Sequence, residues 1–357
     1  MADVIEYQKC WLCINPIMGC PLNCKYCILS NRDFGPVETK STAEGAVRLL
    51  LNNKYFVADI TPITVHNYSD PFLKQTRTTT LDVLEILDNA GLRNPVSVIT
   101  KCEIKDPDVT RLTSLKNIKL FVFVSLSGLS KNIEPAPDIW KLKTMERIAA
   151  TSIPLVHYWR PLMRGYNTDT KTLLQVISLA SKFTSISVTS GLKLSAPVQA
   201  SLESIIDIPD EEWHPDCKVV RSSVFDEIRN IAEDVCPDHI FFRKTSCAVS
   251  YVLGESDYNG NIVNATEYGC KKCPNYTRCS QHNVSEGDVR LTTDRFGVAN
   301  PFSVHKSQIK FTGSLTLDQR TALRHCLRIR IDSDQTIFPE HFRGEKVPLD
   351  ADHKPKT

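Results

Sequence analysis

The sequence predicts an α/β fold: an open parallel (β/α)6 barrel followed by a cysteine-rich C-terminal extension. Three observations carry this. The first two-thirds of the 357 residues alternates short apolar runs with amphipathic helical patterns, the rhythm of repeated strand–helix units. A cysteine triplet, Cys20, Cys24 and Cys27, follows the first apolar run directly, and barrels build their sites at the C-terminal ends of strands. From about Ser195 the alternation loosens, and a second cysteine-rich segment runs from Cys247 to Cys279.

Six apolar runs are the expected strands, at residues 11–16, 63–67, 95–100, 120–125, 154–159 and 185–189. The first helix is expected to begin at Ser41-Thr42-Ala43-Glu44, a capping-box pattern, and to run through Leu49, Leu50 and Leu51. A second spans about 79–90, with Leu84 and Leu87 on one face and Gly91 as its C-terminal stop. Two more cover roughly 138–151 and 168–182. Residues 209–215, with prolines at both ends, read as a loop. A helix at 223–235 and a late strand at 239–243 follow. The tail after Val284 offers one helix, 315–327, after Gly313-Ser314, and its polar end, 350–357, is expected to be disordered. The chain thus divides into a barrel (1–195), a connecting helix and strand (196–246), a metal-binding segment (247–283) and a C-terminal extension (284–357).

With 41% hydrophobic residues the chain can bury a substantial core, and its net charge of +2 lacks the strong basic excess of a dedicated nucleic-acid binder. No apolar run approaches the roughly 20 residues that cross a bilayer. The N-terminus lacks the basic and apolar regions of a signal peptide. Thirteen cysteines without an export signal point to metal ligands or catalysis in a reducing cytoplasm rather than to disulfides.

Cys20-Pro21-Leu22-Asn23-Cys24-Lys25-Tyr26-Cys27 is a C-x3-C-x2-C cluster with an aromatic before its last cysteine. Three thiolates can hold three irons of a [4Fe–4S] cube and leave the fourth iron open, as catalytic zinc sites leave one position free. A zinc knuckle is the alternative, but zinc sites usually close with a second C-x2-C pair, and none adjoins this triplet. Downstream, Cys270, Cys273 and Cys279 read C-x2-C-x5-C with Cys247 before them. Four thiolates can close a structural zinc site or bind a complete [4Fe–4S] cluster. His282 is a further possible ligand or a surface histidine. Cys10 and Cys13 form a C-x2-C pair that can join Cys217, Cys236 or the C-terminal group, or simply pack, and Cys326 reads as a buried helix residue.

The triplet with its aromatic resembles the signature of the radical S-adenosylmethionine (radical SAM) enzymes. Further pieces resemble their spore photoproduct lyase branch. These are Tyr68-Ser69-Asp70-Pro71-Phe72, Ile99-Thr100-Lys101, Val124-Ser125-Leu126-Ser127, Glu134-Pro135, and the run from Trp159-Arg160-Pro161 to Asn167. The resemblance covers roughly residues 10–195 and implies a partial barrel of the radical SAM type. It implies an enzyme whose Cys20, Cys24 and Cys27 hold a catalytic [4Fe–4S] cluster that reductively cleaves S-adenosylmethionine (SAM). The resulting 5′-deoxyadenosyl radical then abstracts hydrogen from a substrate. By the same resemblance Lys101 faces the SAM carboxylate, and Ser69, Asp70 and Ser125 its amine and ribose. The backbone around Tyr26 meets the adenine, and Arg160 binds SAM or an anionic substrate. An electron donor such as flavodoxin or ferredoxin is implied as a partner. The substrate stays open among small molecules, peptides and nucleic acids.

Where spore photoproduct lyases carry a thiol hydrogen donor, this chain has His66, Asn67 and Tyr68. Cys102 is then the candidate substitute, although free cysteines are more often inert small hydrophobes. The C-x2-C-x5-C segment is similar to the SPASM and twitch auxiliary-cluster extensions, but Asn283 stands where a further cysteine is expected. One auxiliary cluster, with zinc as the alternative metal, is what that likeness implies. Two other readings stay open. One is nucleic-acid lesion repair or modification, and the other a non-enzymatic zinc or iron–sulfur module.

Overall fold

The computed structural model describes residues 3–27, 29, 36–193, 196–202, 213–214, 218–219, 222–266 and 269–337. A hairpin opens the chain: β1 (Ile5–Gln8) runs antiparallel to β2 (Trp11–Ile14). From β2 onward seven strands pair in parallel, each with its successor in the series. The series is β3 (Ile63–Val65), β4 (Pro95–Thr100), β5 (Lys119–Val124), β6 (Leu155–Leu162), β7 (Ile186–Lys193) and β8 (Ile240–Phe242). All six expected strands are present, and the late strand adds a seventh to the parallel array. Beyond the same edge of β7, Lys218–Val219 pairs antiparallel with Leu192 and Lys193, and Trp213–His214 pairs with it in turn. The expected loop at 209–215 thus carries a short strand, and its remaining residues lie outside the described ones, as do 350–357 and Cys217.

The helices between the strands are α1 (Ala43–Leu51), α2 (Arg77–Asn89), α3 (Asp106–Thr113), α4 (Asp138–Ala149), α5 (Thr170–Ala180) and α6 (Ser222–Val235). The capping box expected from Ser41 does not form: the N-cap falls one residue later, and its N3 residue, Gly45, has no side chain to complete a box. Thr42 is the N-cap and accepts from the Gly45 N–H at 3.1 Å, while the Ser41 N–H is held by the Pro16 carbonyl. Gly91 follows the C-cap of α2 with φ of 72°, the left-handed conformation a helix stop requires.

Period-two alternation sorts the strand residues between two cores. On β5, Val122 and Val124 join the core that contains Leu84 and Leu87 of α2 and Met145 and Ile148 of α4. Phe121 and Phe123 point to the other face, where they meet Val156, Val188 and Phe242. That second face is covered by the extension: Ala248 and Val249 of α7 (Thr245–Val252), together with Tyr258, pack against it.

After Val284 the chain is more ordered than its sequence suggests. It forms α8 (Glu286–Phe296), β9 (Phe302–His305), β10 (Gln308–Thr316), α9 (Leu317–Leu327) and β11 (Arg330–Ile337). The strands make a sheet in which β9 and β10 are antiparallel and β10 and β11 parallel. Its Ile309, Phe311 and Ile331, with Leu323 of α9, share one buried core with Tyr7, Leu12 and Val47 of the barrel. No helix among the described residues is long and apolar enough to cross a membrane.

Buried histidines make this fold acid-sensitive. His157 on β6 bonds Ser187 Oγ and the Leu126 carbonyl, each at 2.8 Å, and burial pushes its pKa down to about 4. The unfolded chain takes up a proton near pH 6.5 and the folded chain does not, so stability falls as pH drops from 6.5 toward 4. At pH 5 this residue alone is expected to cost about 2 kcal/mol relative to pH 7. Chemical denaturation at the two pH values measures it, and His157→Gln is expected to reduce the difference by that amount.

Candidate functional site

The cysteine loop leaves β2 through a two-residue ribbon in which Ile17–Met18 pairs antiparallel with Glu38–Thr39. Two residues with positive φ, Gly19 at 90° and Asn23 at 50°, turn it, a conformation glycine and asparagine tolerate. Neighbouring loops pin the turn in place. Gly19 N–H donates to the Tyr68 carbonyl at 2.9 Å, Ser69 Oγ donates to the Gly19 carbonyl at 2.7 Å, and Lys25 N–H donates to the Ile133 carbonyl at 3.0 Å. The Tyr68-Ser69-Asp70 segment after β3 and the 130–134 segment after β5 therefore grip the loop from two sides.

Cys20, Cys24 and Cys27 are all half-buried. Burial pushes Cys20 up to about 11 and Cys24 up to about 12, and raises Cys27 as well. The three sulfurs stand within electrostatic reach of one another and of Lys101. Burial works against the Lys101 charge, but Glu134, Cys24, Asp70 and Cys27 outweigh it and hold the ammonium protonated. The Lys101 Nζ lies 5.7 Å from the centre of the Tyr26 ring.

A buried network supports this side. Glu134 accepts from Tyr26 Oη, from Lys141 Nζ and, at 3.0 Å, from Ser127 Oγ. Both Glu134 and Lys141 are 1% exposed. Asp70 plays a similar part at the end of β3: its carboxylate accepts from Phe72 N–H at 3.0 Å, and from Thr100 Oγ1 and Lys101 N–H, each at 2.7 Å. Ser125 is buried immediately after β5, and its N–H donates to the Thr100 carbonyl at 2.9 Å. The sequence motifs at the ends of β2 through β5 are thus brought together.

Arg160 lies elsewhere. Its guanidinium stacks 4.9 Å above the Tyr158 ring, and it stands within electrostatic reach of Cys10 and Lys244. Cys102 is 5% exposed within the apolar core, and burial followed by Asp70 drives its thiol far above the ordinary range.

The second cysteine group is gathered by the extension. Cys247 of α7 lines one pocket with Cys270, Cys273 and Cys279, and Asp257, Asn261 and Asn275 are among the other residues of its wall. Amide donors point at these sulfurs: Asp257 N–H to Cys279 and Asn275 N–H to Cys273, each at 3.4 Å. Burial raises all four thiols, Cys270 to about 12 and Cys279 to about 11. Bound metal reverses such shifts, because its charge stabilises the thiolate.

His282 is turned away from a ligand role, its Nε2 held by the Leu327 carbonyl at 2.8 Å. Cys13 is buried in β2, Cys236 is half-buried beyond α6, and Cys326 is half-buried on α9. Among the described residues no three Cys, His, Asp or Glu side chains converge at coordinating distance. As donor sets, three thiols on one turn and four around one pocket both suit iron–sulfur ligation, and the second equally suits zinc.

The pocket loop is locked to the extension by Gly260. With φ of 61°, a Cβ there would sit 2.1 Å from the backbone nitrogen of Arg330. Gly260→Ala is therefore expected to lower stability by about 2 kcal/mol or more through backbone strain and displacement of this contact. A urea denaturation midpoint checks it.

Neither a family model nor a curated protein matches the chain. Solved structures do. A spore photoproduct lyase double mutant with bound AdoMet and dinucleoside spore photoproduct is 14% identical with a TM-score of 0.52, over 66% of this chain and 78% of that one. Spore photoproduct lyase complexed with dinucleoside spore photoproduct is 14% identical with a TM-score of 0.49, covering 64% of this chain and 76% of that one. Streptococcus suis SuiB bound to S-adenosylmethionine is 13% identical with a TM-score of 0.45, over 62% of this chain and 47% of that one, so the chain spans about half of SuiB's length. The first of these matches establishes the architecture: the barrel has the fold of spore photoproduct lyase, a partial (β/α)6 barrel.

Proposed function

We propose that this chain is a radical SAM enzyme. The single observation that carries the reading is the loop after β2, where three thiols stand within electrostatic reach of Lys101 at the C-terminal strand ends of a fold whose similar solved structure holds AdoMet. When bound, a [4Fe–4S] cluster and SAM supply reductive cleavage of a carbon–sulfur bond and a carbon radical able to take hydrogen from substrate.

The chain's own residues do the rest. Cys20, Cys24 and Cys27 hold three irons, and Lys101 meets the cofactor's carboxylate with a charge that Glu134 and Asp70 support. Ser125 and the Tyr26 backbone line the cofactor's polar and aromatic parts. Ser69 and Asp70 act as positioning residues, since Ser69 donates to Gly19 and Asp70 already accepts three hydrogen bonds. Arg160, placed away from this loop, serves an anionic substrate rather than SAM. Cys247, Cys270, Cys273 and Cys279 hold one auxiliary iron–sulfur cluster, with zinc as the competing metal. Electrons come from a flavodoxin or ferredoxin in the cytoplasm.

The test is anaerobic reconstitution with iron and sulfide, followed by dithionite and SAM. Formation of 5′-deoxyadenosine and methionine supports the proposal. An intact cluster that leaves SAM uncleaved defeats it.

A further inference from the structure

Six cationic side chains crowd the turn between β1 and β2. Lys9, Arg160 and Lys244 lie within electrostatic reach of Cys10, and Lys9 in turn faces Arg320, Arg324 and Arg330. Two acids, Asp257 and Asp332, are interleaved with them; each is engaged through one oxygen, and Asp257 Oδ1 has no hydrogen-bond partner. Asp257 accepts from the Asn261 backbone and side chain, each at 2.8 Å. Asp332 Oδ1 is shared between Arg320 Nη2 at 3.1 Å and Arg330 Nε at 2.7 Å.

Arg324 hydrogen-bonds neither carboxylate, although Asp332 stands within its electrostatic reach. It is 6% exposed, and its Nε has no hydrogen-bond partner. Thr321, one turn earlier on the same face of α9, is fully buried with an equally unpartnered Oγ1. A guanidinium taken out of water with no carboxylate hydrogen-bonded to it is a costly arrangement. Burial, followed by Arg320 and Arg330, pulls its pKa down to about 9. The seam itself is tightly built: the Gly260 position abuts the Arg330 backbone, and Asn259 Nδ2 donates to Cys10 Sγ at 3.7 Å.

We propose that Arg324 and Thr321, flanked by Arg320, Arg330 and Lys9, form a binding site for the phosphate of a small phosphate ester. A guanidinium fork and a hydroxyl on adjacent turns match the oxygens of one phosphoryl group, and the surrounding positive charge suits its two negative charges. The site's burial and the chain's near-neutral charge favour a small ligand over a nucleic-acid backbone. This site stands whether or not the radical reading holds, because binding alone reports it.

The experiment is equilibrium dialysis of the full chain against labelled inorganic phosphate and, separately, a nucleoside 5′-monophosphate. Saturable binding is expected, weakened about tenfold or more in Arg324→Gln. Arg330→Gln, whose side chain is partly exposed, should weaken binding in the same direction and serves if Arg324→Gln misfolds. Absence of saturable binding at millimolar phosphate, or unchanged affinity in the folded variants, overturns the proposal. Displacement of phosphate by a short oligonucleotide at lower concentrations than the monophosphate overturns the small-ligand assignment.

Discussion

Replacing Cys24 by serine is expected to empty the first cluster site and abolish SAM cleavage. A soft thiolate is what holds iron here, and a hydroxyl is a poor substitute. Losing an outer partner of a metal ligand typically costs about 10–100-fold in affinity or activity, so losing the ligand itself costs more. The substitution leaves the barrel intact, since Cys24 is half-buried on a loop and outside the apolar cores. Iron content provides the sharpest readout. With both sites loaded, iron should fall from about eight to about four per chain in Cys24→Ser, because the pocket lined by Cys247, Cys270, Cys273 and Cys279 is untouched. With zinc in that pocket, iron should fall to background while zinc persists.

The second large effect belongs to Glu134. Glu134→Ala removes the carboxylate that Lys141, Tyr26 and Ser127 share, and leaves the Lys141 ammonium buried with only Asp138, at 2.9 Å, beside it. Breaking a buried pair from one side costs about 3–5 kcal/mol, far more than the pair contributes relative to apolar replacements. A denaturant midpoint should register that loss, and Glu134→Ala combined with Lys141→Met should recover much of it. Affinity for SAM should stay weakened in the double variant, because Tyr26 loses its anchor and Lys101 loses a carboxylate neighbour in both. Recovery of stability without recovery of SAM affinity separates positioning from folding.

Local rules made the barrel readable. Strands such as Lys119–Val124 combine β-branched and aromatic residues in a short run, and helix stops such as Gly91 need only neighbours in sequence. The cysteine spacings were readable for the same reason. What stayed hidden depends on distant partners or on broken periods. The helix Asp106–Thr113 opens with Asp106-Pro107-Asp108, which reads as a turn until Asp108 is seen accepting from the Lys105 N–H and pairing with Arg77. The strand Gln308–Thr316 loses its alternation where the register shifts between Phe311 and Ser314. Glu134 and Lys141 are seven residues apart with prolines between, so no local pattern announces their pairing. Likewise nothing in sequence brings Lys9 to Arg324, or shows that Asp70 spends its oxygens on Thr100 and the backbone.

The central claim is that three thiols leave one iron of the first cluster open to SAM. Mössbauer spectroscopy of a Cys247→Ala/Cys270→Ala variant, reconstituted with isotopically labelled iron, tests it most directly, because only the first cluster then contributes. Addition of SAM should shift the parameters of one iron site out of four, toward higher coordination, and leave the others unchanged. A spectrum indifferent to saturating SAM, with all four irons equivalent throughout, would mean that a protein ligand caps the fourth corner and would contradict the account.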